Sequence, residues 1–257
     1  TFNGSLFLLP KDCRLTELTL EGISNIQGDF QCKDYFYVKE FVMPFIRVAG
    51  NMTIALNSGS VNTEAEIEFP NLLEIGGTLT LENNKNANNI TFPSLKKILG
   101  SCSVTTSHLK NDIEFTNLES IGTDGANAQI KFEIDGTNIL CPKLKTINGK
   151  FDITTSTVIF DMEADQVSYP NVESISENLS ITCPYSDFGS NGILSIDFSG
   201  LKSVKGISIS GQGDVTDFSS FKYLFENNVL TGESQWSVRE CAYNPTYQDM
   251  KNGKYKQ

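Results

Sequence analysis

His108 is the only histidine among 257 residues, and that limits the chemistry at once. A Ser-His-Asp triad or a histidine metal cluster would have to be built on this one side chain. It lies in the polar stretch "TTSHLKND", where a plain surface residue is the simpler reading. Asp161, Glu163 and Asp165 in "DMEAD" copy the alternating acids that open a calcium loop. The copy then fails: Gln166 stands where the loop needs Gly and Val172 where it needs Glu, which leaves a solvated acidic loop. Neither a metal nor a cofactor site is expected, and no catalytic residue is assigned. Cleavage of an acidic polysaccharide would need carboxylates grouped with a Lys or Arg base on one face. Asp152 or Asp197 lining a cleft beside a lysine would be its signature.

Six cysteines, Cys13, Cys32, Cys102, Cys141, Cys183 and Cys241, are too widely spaced for a zinc knuckle or a CxxC redox motif. Cys13 and Cys32 are close enough in sequence to bridge, and the spacing does not decide whether they do. Exposed aromatic residues are the better lead for binding, since rings left in water serve sugar or protein contacts. Tyr35, Phe36 and Tyr37 form one such group, Tyr185 and Phe188 another, and Tyr243 and Tyr247 lie in the tail. Tyr35, Tyr37, Tyr185 and Phe188 are the candidate binding residues, with packing under a cap as the competing role.

Net charge is -11 and the basic residues are scattered. Phosphate binding needs Lys/Arg clusters, so nucleic acid and anionic membranes are poor partners. No run approaches the 18 apolar residues of a membrane span. The opening "TFNGSLFLLPKDC" has no basic region ahead of its apolar stretch, as expected of a chain whose leader is gone. Asn3, Asn51, Asn89 and Asn178 sit in formal N-glycosylation sequons, which matter only in a eukaryotic source.

The elements that must carry these residues are written in a repeat. In "FPNLLEIGGTLTL", with Phe69 at position zero, Leu72, Ile75, Gly77, Leu79 and Leu81 fall at +3, +6, +8, +10 and +12. The frame recurs from Leu20, Met43, Phe92, Phe115, Cys141, Tyr169 and Phe198, with steps of 23 to 29 residues. The copy from Met43 is one residue short, that from Phe198 loses one after its glycine, and that from Phe115 inserts "TDGANA". A period in the twenties marks a solenoid with one coil per repeat.

Alternation at the end of each copy predicts a strand with one buried face. Glycine at +8 (Gly28, Gly77, Gly100, Gly149, Gly206) implies positive φ or close backbone approach at the bend. Proline at +1 (Pro44, Pro70, Pro93, Pro142, Pro170) suits a corner. The segment from +3 to +6 reads as a bend with its apolar side chains turned inward. Cys102 and Cys141 stand where other copies carry Leu or Phe, which predicts buried thiols.

Eight coils stacked about 4.8 Å apart would make a rod about 40 Å long. The polar inserts at 82–89, 105–112, 154–166 and 182–195 read as loops leaving it. The expected organisation is a single domain over 1–257, with an N-terminal cap at 1–17, repeats at 18–210, and a C-terminal cap and tail at 211–257. Within the last, "FSSFKYLFENNVL" (218–230) reads as a short amphipathic helix covering the final coil.

"FPNLLEIGGTLTL" and its copies resemble the receptor L domain, a leucine-rich-repeat-like right-handed β-helix in which a phrase close to "FPxLxxIgGxLxI" marks each coil. The tail "WSVRECAYNPTYQDMKNGKYKQ" resembles the ends of secreted surface proteins of gut Bacteroidetes. The resemblance implies an all-β, right-handed parallel solenoid, secreted to a cell surface, non-catalytic and active in adhesion. These residues include neither the cysteine-rich module that accompanies animal receptor L domains nor a wall-anchor motif, so they do not themselves show attachment to a surface. The expected partner is a host or bacterial surface protein or glycan, and the expected state is a monomer. A polysaccharide-cleaving β-helix and a purely structural wall component are the rival expectations.

Overall fold

A computed structural model of the chain describes residues 1–9, 14–35, 37–56, 65–84, 87–106, 109–135, 137–155, 166–183, 193 and 195–257, with 212 and 213 described by backbone alone. It is an all-β parallel solenoid. Each coil runs through three short strands, and each strand pairs in parallel with its counterparts in the neighbouring coils. The coil around Phe69 shows the plan: Ala65–Glu68, a corner at Phe69 and Pro70, Glu74–Ile75, a bend at Gly76 and Gly77, then Leu79–Leu81. Stacking these produces sheets of six, seven and ten strands, with the pair Gln166–Ser168 and Ser195–Asp197 forming a small fourth sheet.

The apolar frame closes on one core. Ile67, Phe69, Leu72, Ile75, Leu79 and Leu81 are all 0% exposed. Burying each such side chain contributes roughly 1.5–3 kcal/mol. The stretch from +3 to +6 is more regular than a bend, because its last two residues pair coil to coil, as in Glu74–Lys97 and Ile75–Ile98. Seven copies supply such a strand. The eighth, from Phe198, contributes only an isolated bridge between Ser174 and Ser203.

Glycine at the bend answers to close approach. Among the glycines with positive φ none is Gly28, Gly77, Gly100, Gly149 or Gly206. Instead the backbones touch: Gly50 N donates to Gly28 O (3.0 Å), Gly77 N to Gly50 O (2.9 Å) and Gly100 N to Gly77 O (3.0 Å). The short copy from Met43 thus still lands Gly50 in this ladder. Beside it runs a side-chain ladder: Asn51 N donates to Asp29 Oδ1 (2.7 Å) and Thr78 N to Asn51 Oδ1 (2.8 Å). At the proline corner the side chains of Ser94, Asn117 and Asn171 donate to the carbonyls of Pro70, Pro93 and Pro142 in the preceding coil.

Position zero builds an aromatic stack. The ring centroids of Phe69 and Phe92 lie 4.9 Å apart and those of Phe92 and Phe115 5.0 Å. Cys141 interrupts the stack, and Phe132 and Phe151 from the long sheet fill the volume, reaching Tyr169 at 6.0 and 5.5 Å. Cys102 and Cys141 are buried thiols, as their places in the frame require, and desolvation pushes both far above the ordinary thiol range. Cys32 is likewise a free, buried thiol, while Cys13 lies outside the described residues.

The edges of the polar inserts are more ordered than loops. Ala87–Thr91 is a strand, Thr105 ends the strand Cys102–Thr105, and Thr154 and Thr155 lie in Gly149–Thr155. Residues 1–17 contribute Leu6–Leu8, which adds one strand to the ten-stranded sheet, with its middle residue Phe7 54% exposed. At the other end the helical segment is shorter than its pattern predicts: a 3-10 turn at Ser219–Phe221 and an α-helix at Lys222–Glu226. Phe218, Phe221, Leu224 and Phe225 are buried as expected, and the rings of Phe218, Phe221 and Phe225 pack on Trp236. Among the described residues no helix is long and apolar enough to cross a membrane.

Candidate functional site

The outer face of the ten-stranded sheet is where a repeated ligand contact can be built. Every second residue of its strands points outward, and parallel pairing sets these residues in rows across the coils. One row reads Phe7, Gln31, Thr53, Thr80, Ser103, Lys131, Asp152, Ser180, Ser208, Ser237. Two residues further along, Thr105, Glu133, Thr154, Thr182, Ser210 and Arg239 form a second row. Most of these side chains are small and hydroxylated, so the face is smooth and polar.

Charge enters in the middle as neutralised pairs. Lys131 pairs with Glu133, and Lys150 with Asp152 at 2.9 Å. The hydrogen bond from Lys131 holds the Glu133 carboxyl below its ordinary range; partial burial opposes this, and the Thr105 hydroxyl (2.9 Å) adds to it. A carboxylate kept ionised in this way is not poised as a general acid.

At the C-terminal end the face deepens into a groove of about 570 Å³. Ser180, Ser208 and Ser237 form its floor in consecutive register. Gly206, without a side chain, leaves room beside them, and Lys150, Lys205, Gln235 and Arg239 rise around them. Lys205 is paired with Glu177 and Lys150 with Asp152, whereas the Arg239 guanidinium has no ion-pair partner among the described residues. Ser237 also lines a second cleft of about 440 Å³, between Trp236 and residues 244–248, where the helix Tyr247–Lys251 begins.

A third cleft holds Asp197 and Asp217. Each accepts a backbone N–H from two residues on, Ser199 at 2.9 Å and Ser219 at 2.8 Å. Burial would raise the Asp217 carboxyl, but hydrogen bonds from Ser219 and the charge of Lys256 hold it low. Among the described residues no lysine lines that cleft. Asp152 sits beside a lysine but does not itself line the groove. Among the described residues no group of three His, Cys, Asp or Glu side chains is placed to hold a metal.

The structure brings few of the aromatic candidates to a common surface. Tyr35 is buried in the core. Tyr37 is 37% exposed, with the Arg14 guanidinium 5.9 Å from its ring centroid. Tyr185, Phe188, His108 and the acids of "DMEAD" lie outside the described residues. Tyr243 and Tyr247 serve the cap: their rings pack on Phe218 and Phe225, and their hydroxyls donate to Lys254 O and Leu230 O. Sequence reasoning missed Lys205, Ser208, Ser237 and Arg239. The alternation in "GISISG" and "WSVREC" marks the last three, the second stretch lying in the tail region, where Trp236–Cys241 is the last strand of the long sheet.

No protein-family model matches the sequence, and neither a curated protein nor a solved structure is significantly similar to it.

Proposed function

We propose that this chain is a secreted, non-catalytic binding module of a cell surface, a receptor-L-domain-like solenoid of the adhesion type resembled by its repeats and tail, with a surface protein or glycan as its partner. The observation that carries the reading is the outward face of the long sheet. Seven of its ten parallel strands hold outward hydroxyl side chains in fixed rows above a closed core. A rigid, repetitive polar face suits an extended ligand, because little side-chain freedom is lost when each short residue makes a contact. Gut Bacteroidetes are the proposed source, on the tail alone.

The test is a paired glycan and surface-protein array probed with the purified chain, with the bound saccharide then checked for chain length. Saturable binding without shortening supports the module. Cleavage products would overturn its non-catalytic part and favour a polysaccharide-degrading β-helix. A lack of binding to either array would favour a structural wall component.

A further inference from the structure

The groove around Ser180, Ser208 and Ser237 says more about the ligand than its extended form. We propose that it binds a linear acidic polysaccharide, one bearing uronate or sulfate groups; this rests on the binding reading above. The three floor hydroxyls stand in register on adjacent strands, about 4.8 Å apart. A row with that step offers one hydrogen-bonding group to each sugar of a chain lying along the solenoid axis. Cations flank the row on two sides. Lys150, near the start of the strand Gly149–Thr155, and Lys205, just ahead of the strand Gly206–Gly213, lie on one side, and Arg239 lies two residues beyond Ser237 on the last strand, about 7 Å along it.

Among the described residues no carboxylate lines this groove, in a chain of net charge -11. The nearest acids, Asp152 and Glu177, are held by Lys150 and Lys205 in pairs whose side chains keep 27–63% of their exposure. Pairs so open to water are weak, so both ammonium groups can turn to a ligand anion at small cost. Arg239 needs no such exchange, and its planar fork fits a carboxylate or sulfate through two parallel hydrogen bonds.

A nucleic acid fits less well. Among the described residues that line the groove no aromatic ring is placed to stack on a base.

The experiment is calorimetric titration of the full chain with polygalacturonate and dextran sulfate oligosaccharides, with neutral dextran of equal length and oligothymidylate as comparators. Binding of at least one acidic saccharide, weakening as salt rises and absent for dextran, is expected. Arg239→Gln should lower that affinity about tenfold or more. Lys97→Gln, an exposed lysine of the seven-stranded sheet, should change it by less than about twofold. Circular dichroism confirms that both variants fold. Failure of both acidic probes to bind, acidic binding indifferent to Arg239→Gln, or oligothymidylate binding as tightly with the same dependence would each overturn the proposal. Tight binding of neutral dextran would also overturn it, while leaving the broader binding reading intact.

Discussion

Replacing Gly77 by Ala tests whether close packing of coil on coil is what the repeat demands. An added Cβ would sit 2.8 Å from the carbonyl carbon of Gly50 and 2.9 Å from Asn51 N. These are backbone atoms of the preceding coil and cannot turn away. Relief requires the coils to separate, which stretches Gly77 N to Gly50 O and Thr78 N to Asn51 Oδ1. Overpacking costs about 1–3 kcal/mol, and each weakened bond about 0.5–1.5 kcal/mol. The stiffer unfolded chain returns about 0.4–1 kcal/mol, so the expected net loss is about 2–4 kcal/mol. For a chain of this size that lowers the melting temperature by about 5–15 °C. Gly232→Ala is the control, since its added Cβ would come no nearer than 4.0 Å, to Ser234 Oγ, and its φ is −147°. Urea denaturation of the two variants, followed by circular dichroism, measures the difference. Equal midpoints for Gly77→Ala and Gly232→Ala would refute the close-approach argument, and Gly100→Ala, with Gly77 backbone atoms 2.6 and 2.7 Å from its Cβ, should repeat the loss.

Phe92→Ala removes the middle ring of the Phe69–Phe92–Phe115 stack and should destabilise by about 3–5 kcal/mol in urea titration. Asn84 is buried, its Oδ1 accepting from Leu56 N at 2.9 Å and its Nδ2 donating to Ile54 O at 3.0 Å; Asn84→Ala leaves the Leu56 N–H without that partner and should cost about 1–3 kcal/mol, with faster amide exchange at Leu56. Burial raises the thiols of Cys32, Cys102 and Cys141 above their ordinary 9.0, so their contribution is whole below pH 9 and lost as pH rises toward and through the folded values. Stability should therefore fall above pH 9 by about 1.4 kcal/mol per pH unit for each of them, and Cys102→Val should flatten the decline. Cys241, half-buried and pushed up to about 11, should react with iodoacetamide before Cys32, Cys102, Cys141 and Cys183, as located by peptide mass.

Legibility followed the source of each constraint. The apolar frame was readable because a buried side chain must recur at the period of the coil, so Leu72, Ile75, Leu79 and Leu81 announce their own burial. The pairing of +5 and +6 into a sheet was not, since two residues are too few to show alternation. Asn84 lies in "ENNKNANN", which reads as a polar loop until the buried N–H of Leu56, 28 residues away, is seen to need it. Tyr35 shows the converse: an aromatic group in the insert between two repeats suggested a ligand contact, yet the ring of Tyr35 is buried.

By itself the sequence determined that the chain is a parallel solenoid and where each coil turns, because burial and close approach act within one repeat. The tertiary structure alone decided which of the two roles the +8 glycines fill, how Phe132 and Phe151 offset the missing ring at Cys141, and which cations share a groove. Lys150, Lys205 and Arg239 are separated by dozens of residues and meet only because stacking turns sequence distance into a few strand spacings.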